Sequence, residues 1–197
     1  MRLVLDWDGT VTEADSLHMV LERFGDAAVY RETEERLGGD LTLHETIALE
    51  LSTVTAPLGE VVAWVVEHVR VRPGFRELVA QHRPLILSSG FHELIEPVLV
   101  REGVSAELLA NRLDPSPRGW RALFRDRSLC PVCGEACKRG SLPAGEVVLV
   151  GDGFSDRCAA LAADRVFARD GLASWLARRG TRFAAFGDLR DVAAALA

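Results

Sequence analysis

Leu3-Val4-Leu5-Asp6-Trp7-Asp8-Gly9-Thr10 is the stretch on which the fold turns. Three apolar residues end at an acid, as a buried parallel strand ends where its C-terminal edge meets a loop. Asp6 and Asp8 stand two apart, so a chain still extended there directs both carboxylates to one side. Gly9 and Thr10 then let the backbone turn closely around a ligand. By itself, an acidic turn after a strand is ordinary. The same pattern recurs at Leu85-Ile86-Leu87, which stops at Ser88-Ser89-Gly90, and at Val147-Val148-Leu149-Val150, which stops at Gly151-Asp152-Gly153.

Further strands are expected over 165–168 and 183–186, and helices over 74–82, 154–163, 172–179 and 189–196. This alternation predicts an α/β fold, a Rossmann-like doubly wound parallel sheet covered on both faces. Between the first strand and Val71 the apolar spacing changes to helical, as in Leu17-Val20-Leu21-Phe24 and Val61-Val65-Val69. A connection that long without structure of its own would be abnormal. The expectation is therefore a core of residues 1–12 and 71–197 with an inserted all-helical cap over 13–70, and Arg72-Pro73-Gly74 as the return hinge.

The chain has 197 residues, 48% of them hydrophobic, enough for one substantial core and a small appended unit. A formal net charge of -6 argues against nucleic-acid and anionic-membrane partners, which need a broad positive field. The first acid comes at position 6, too soon for a secretory apolar region, and no later apolar run approaches the roughly 18 residues of a spanning helix. A cytoplasmic protein, monomer or homodimer, is the expectation.

In an open parallel sheet, ligands bind beyond the carboxyl ends of the strands, where this chain gathers its acids and hydroxyls. Asp152 and Asp156 in GDGFSD follow one strand as Asp6 and Asp8 follow another. If the two clusters meet, like carboxylates repel and a divalent cation, Mg2+, relieves the penalty. Ser88 at a strand end and Lys138 in the loop before the Gly151 strand supply a hydroxyl donor and an ammonium, the groups a dianionic phosphoryl needs.

DWDGT, then Ser88 in LILSSGF, then a lysine, then GDGFSD, in that order, resembles the haloacid dehalogenase superfamily of phosphatases over nearly the whole chain. The helical stretch after the first motif is similar to the cap of the phosphoserine phosphatase-like branch. Within it, DGTVTEAD, CGEACK at 133–138 and RVFARD at 165–170 most resemble the 2-hydroxy-3-keto-5-methylthiopentenyl-1-phosphate phosphatase-like proteins of methionine salvage. The resemblance implies a Mg2+-dependent phosphatase of small phosphorylated metabolites. Asp6 would be its nucleophile and Asp8 its general acid and then base. Asp6, Asp152 and the Asp8 carbonyl would hold the metal, Ser88, Ser89 and Lys138 the phosphate, and Asp156 would support metal and lysine. Asp15 stands where phosphoserine phosphatases carry an amine-binding glutamate, and 41–51 lacks the arginine that holds the serine carboxylate. Both departures weaken a phosphoserine reading. The alternatives are a phosphoserine phosphatase, a phosphotransferase using the same acids, or a non-catalytic phospho-ligand binding protein.

Glu13, Asp15, His18 and His44 are candidate substrate contacts from the cap, although such residues on helices commonly face solvent. Cys130-x2-Cys133-x3-Cys137 offers three thiolates to a zinc ion, with Cys158 a fourth ligand only if the fold brings it near. Without that fourth ligand the favoured expectation is four small, buried, reduced hydrophobes shaping the loop before Lys138.

Overall fold

The computed structural model describes residues Met1–Ala197. Strand β1 (Arg2–Leu5) is the middle of a seven-stranded sheet. On one side it pairs in parallel with β2 (Leu85–Phe91), which pairs with β3 (Glu107–Asp114); on the other it pairs with β5 (Val147–Gly151), followed by β6 (Arg165–Ala168) and the two-residue β7 (Ala184–Ala185). β4 (Arg121–Leu123) adds an antiparallel edge to β3, so the sheet is mostly and not wholly parallel. The chain runs outward from β1 one way and then returns to cross it the other way. That makes the carboxyl end of β1 a topological switch point, where a crevice opens between neighbouring crossovers.

Alternate residues feed two apolar layers, as the two-residue period of a strand requires. Leu3, Leu5, Ile86, Val148 and Val150 join the larger cluster, whereas Val4, Leu85, Leu87, Val147 and Leu149 join the smaller. Helices α5 (Phe75–His82), α6 (His92–Glu102) and α9 (Leu189–Leu196) supply the larger layer; α7 (Arg157–Ala160) and α8 (Asp170–Arg178) supply the smaller. Trp7, fully buried between the two site aspartates, meets Phe75 edge to face at 6.0 Å. Its indole N–H has no partner, which costs about 1–3 kcal/mol. Burying the ring recovers about 5 kcal/mol, so packing wins.

Helices α1 (Ser16–Phe24), α2 (Ala27–Arg36), α3 (Leu43–Leu51) and α4 (Leu58–His68) lie between β1 and α5. Asp15, Asp26 and Thr42 cap the first three, Thr42 reciprocally with Glu45. Val20, Leu21, Ile47, Leu51, Val61 and Val65 belong to the same apolar cluster as the sheet face. Thr12 bridges Val71, and the Arg72 guanidinium donates to the carbonyls of Gly9, Thr10 and Thr12, tying the two strands of the hinge together. No helix is long and apolar enough to cross a membrane.

Two local expectations differ, and three elements lie beyond what local pattern shows. The helix expected over 154–163 is a 3-10 turn (Phe154–Asp156) followed by the short α7. The strand expected over 183–186 shrinks to two residues. Helix α6 and strands β3 and β4 were not expected: Pro97 interrupts the apolar period of α6, and β3 lacks the continuous apolar run of its neighbours.

Candidate active site

The carboxyl ends of β1 and β5 bring Asp6 and Asp152 to one place, and the turn after β5 adds Asp156; a carboxylate oxygen from each lies within 4.8 Å of the others. Lys138 Nζ sits between Asp6 Oδ1 at 2.6 Å and Asp156 Oδ1 at 2.7 Å, with all three side chains buried. Asp156 is fully enclosed, and its second oxygen accepts from the N–H groups of Asp152 and Gly153 at 3.1 and 3.2 Å. It therefore braces the lysine and the β5 loop.

Asp6 Oδ1 also accepts from the Trp7 N–H at 2.7 Å, and Asp152 Oδ1 accepts from the Thr10 hydroxyl at 2.7 Å. The structure thus keeps one oxygen on each of these two acids clear of protein donors. Gly9 makes room between the strands: its φ is +72°, and a Cβ there would fall 2.3 Å from Asp152 Oδ2.

Three carboxylates share one ammonium, and the crowding is felt at Asp6, Asp152 and Lys138. Burial pushes Asp6 up, helped by Asp156 and opposed by Lys138. Burial and the Asp156 charge push Asp152 up to about 7. For Lys138, burial pulls downward, but the Asp156 and Asp6 carboxylates outweigh it and hold the ammonium charged. The residual negative charge, hard oxygen donors and the gap kept by Gly9 fit Mg2+, which takes carboxylate oxygens and retains waters.

Asp8, on the cavity side of the turn, accepts from the Ser16 N–H at 2.8 Å and from the Ser16 hydroxyl. Burial and the Asp15 charge raise its carboxyl to about 7, while the Ser16 bonds pull the other way. A carboxyl poised near neutrality can both give and take a proton.

Asp6, Asp8 and Asp152 floor a cavity of about 190 Å³ together with Ser88 and Ser89. The Ser88 oxygen accepts from the Gly90 N–H at 2.8 Å, which leaves its hydroxyl proton for a ligand. Lys138 borders a smaller adjoining recess that shares Ser88 and Ser89. The far wall comes from α1, α2 with the residue that caps it, and α3: Leu17, Leu21, Leu37, Leu43 and Ile47 are its apolar part, and Tyr30, Glu34 and Glu50 its polar part. No lysine or arginine lines it.

Of the candidate cap contacts, Asp15 and His18 reach this cavity, His18 stacked on Tyr30 at 4.3 Å. His44 instead lines the adjoining recess and stacks on Phe124 at 3.8 Å. Glu13 is exposed and is not part of either wall, because its backbone is committed to the hinge through Arg70. Ser16, Tyr30, Glu34 and Glu50 escaped the sequence reading. Only Ser16 left a signal there, as a hydroxyl residue directly after the Asp15 cap.

The family described as haloacid dehalogenase-like hydrolase matches residues 3–161. A 2-hydroxy-3-keto-5-methylthiopentenyl-1-phosphate phosphatase of Geobacillus kaustophilus is 29% identical, over 98% of this chain and 94% of its own. Its namesake from Geobacillus thermodenitrificans is 30% identical, over 85% of this chain and 82% of its own. Among solved structures, a substrate-bound phosphoserine phosphatase superposes with a TM-score of 0.70 at 17% identity, covering 97% of this chain and 96% of its own; that likeness is one of fold.

Proposed function

The chain belongs to the haloacid dehalogenase-like hydrolase family and is a phosphatase of it, and from that premise we propose a Mg2+-dependent hydrolysis of a small phosphate monoester by way of a phosphoryl group carried on Asp6. The substrate proposed is an ester without a carboxylate, of the type 2-hydroxy-3-keto-5-methylthiopentenyl-1-phosphate, on which the named relatives act. One observation carries the choice: the cavity wall opposite the aspartates has five leucine and isoleucine side chains and no lysine or arginine. A methylthio chain is at home against such a wall. The carboxylate of phosphoserine would find no lysine or arginine there, only His18 among the acids Asp15, Glu34 and Glu50.

Asp6 attacks phosphorus, and the bond to the leaving alkoxide breaks as Asp8, protonated, hands it a proton. Asp8, now a carboxylate, takes a proton from the water that attacks the aspartyl phosphate; the bond to Asp6 breaks, releasing inorganic phosphate and restoring both acids. Lys138 stands beside Asp6 and offsets charge on the phosphoryl oxygens, while the Ser88 hydroxyl and the backbone around Ser89 orient them. Oxygens of Asp6 and Asp152 with the Asp8 carbonyl would hold Mg2+, which supplies further charge neutralisation and orientation of the phosphoryl group. Residues 13–70 act as the cap over 1–12 and 71–197, a division supported by the paired hinge at Thr12 and Val71. Closing that cap over the strand ends excludes water.

The test is phosphate release from p-nitrophenyl phosphate and a panel of metabolite esters, with Mg2+ and with chelator. Release only with metal, favouring the methylthio ester over phosphoserine by about tenfold or more, is expected. A preference for phosphoserine would overturn the substrate assignment, and silence on every ester with Mg2+ present would overturn the activity.

A further inference from the structure

The four cysteines take no part in the phosphoryl transfer proposed above, although Cys137 lines the recess that Lys138 borders, and the fold collects them. Cys130, Cys133 and Cys137 come from the loop ahead of Lys138, and Cys158 comes from α7. Their four sulfur atoms all lie within 4.8 Å of one another, with Cys130 Sγ and Cys158 Sγ at 3.8 Å. That separation is too long for a disulfide, whose sulfurs stand about 2.05 Å apart. Burial as small hydrophobes also fails for most of them: Cys133 is exposed, Cys130 and Cys137 are half-buried, and Cys158 alone is buried. Four thiolates at about 2.3 Å from a tetrahedral zinc stand about 3.8 Å from each other. We propose that Cys130, Cys133, Cys137 and Cys158 bind one structural Zn2+ in an all-thiolate site.

The local backbone suits this. The Gly134 N–H donates to the Cys130 carbonyl at 2.8 Å, and the Cys130 N–H donates to the Glu135 carbonyl at 2.9 Å, closing a tight loop. Gly134 completes the turn at φ +79°, a value that favours glycine. The Val132 N–H points at Cys130 Sγ at 3.5 Å, as suits a sulfur carrying negative charge. The segment also needs a fastener. From Phe124 to Cys137 there is neither helix nor strand, and its Leu129 and Val132 side chains are 73% and 57% exposed, so apolar burial does little to hold it.

The position gives the site a consequence. Cys137 precedes Lys138, and Cys158 is two residues beyond Asp156, the carboxylate that Lys138 grips. Arg139 adds a bond to the Cys158 carbonyl at 3.2 Å. A zinc shared by these thiolates fastens the lysine loop to the helix that follows GDGFSD.

Metal analysis of the full-length protein, purified under reducing conditions without chelator, tests the site directly. About one zinc per chain is expected, retained through a wash that strips Mg2+ and lost in Cys133→Ser and Cys158→Ser. Replacement by Co2+ is expected to give thiolate-to-metal charge-transfer absorption with the intense visible bands of tetrahedral cobalt, a readout independent of phosphatase activity. Wild-type protein, supplied with zinc, that retains less than about a tenth of an equivalent overturns the proposal, whatever the variants do. So does a stoichiometric ferric-thiolate colour, or full zinc retention by a Cys130→Ser/Cys133→Ser double variant.

Discussion

Asp8 hangs from the first turn of α1, where Ser16 gives it both a main-chain N–H and a hydroxyl. Hydrogen bonds to a charged group contribute about 1.5–3 kcal/mol. Ser16→Ala is therefore expected to lower kcat about tenfold or more while Ser16→Thr keeps it. Asp8→Asn should lose about 10²–10⁴-fold in kcat with the fold intact, as judged by an unchanged melting temperature in circular dichroism. Undiminished turnover by Asp8→Asn would remove it from the proton transfers. Asp152 differs from Asp156 in what it supports, having the Thr10 hydroxyl as its side-chain donor while Asp156 holds Lys138 and two N–H groups. Asp152→Asn should accordingly raise the Mg2+ concentration for half-maximal activity, whereas Asp156→Asn should lower thermal stability as well. Equal metal requirements in wild type and Asp152→Asn would count against Asp152 as a ligand.

Among the elements, α3 makes a prediction of its own. Glu50 on its inner side is buried, accepts from the Thr33 hydroxyl of α2 at 2.8 Å, and has its carboxyl raised to about 7, chiefly by burial. Because the folded-state value lies above the unfolded one, near 4.3, Glu50 favours the fold most when protonated. That contribution is complete below the unfolded value and is lost as pH rises through about 7. Glu50→Gln should melt at a higher temperature than wild type at pH 8 and depend less on pH between 5 and 8; parallel pH profiles for the two proteins would contradict this. Elements also differ in how far the sequence exposes them. Strands β1, β2 and β5 were legible because burial on both faces makes each a continuous apolar run ending in polar residues. Helix α6 was not, with Pro97 breaking its period, and β3 and β4 depend on pairing that local composition does not announce.

In the molecule as a whole, β1 as the middle strand of a sheet with order β4-β3-β2-β1-β5-β6-β7 places Asp6 between Ser88 on β2 and Asp152 directly after β5. Linear spacing hints at this meeting, since each motif ends a strand, and the topology carries it out. The convergence of Cys158 on the 130–137 loop had no such clue, because α7 meets the lysine loop only in three dimensions. The cavity wall was equally silent: Tyr30, Glu34 and Glu50 look like ordinary helical residues until α2 and α3 turn them over the aspartates. In the proposed reaction Asp6 carries the phosphoryl group. Enzyme turning over p-nitrophenyl phosphate with Mg2+, quenched in acid and mapped by mass spectrometry, should carry a labile phosphoryl adduct on Asp6 that is missing from inactive Asp6→Asn. An adduct on any other residue, or an Asp6→Asn protein that still hydrolyses the ester at the wild-type rate, would contradict it.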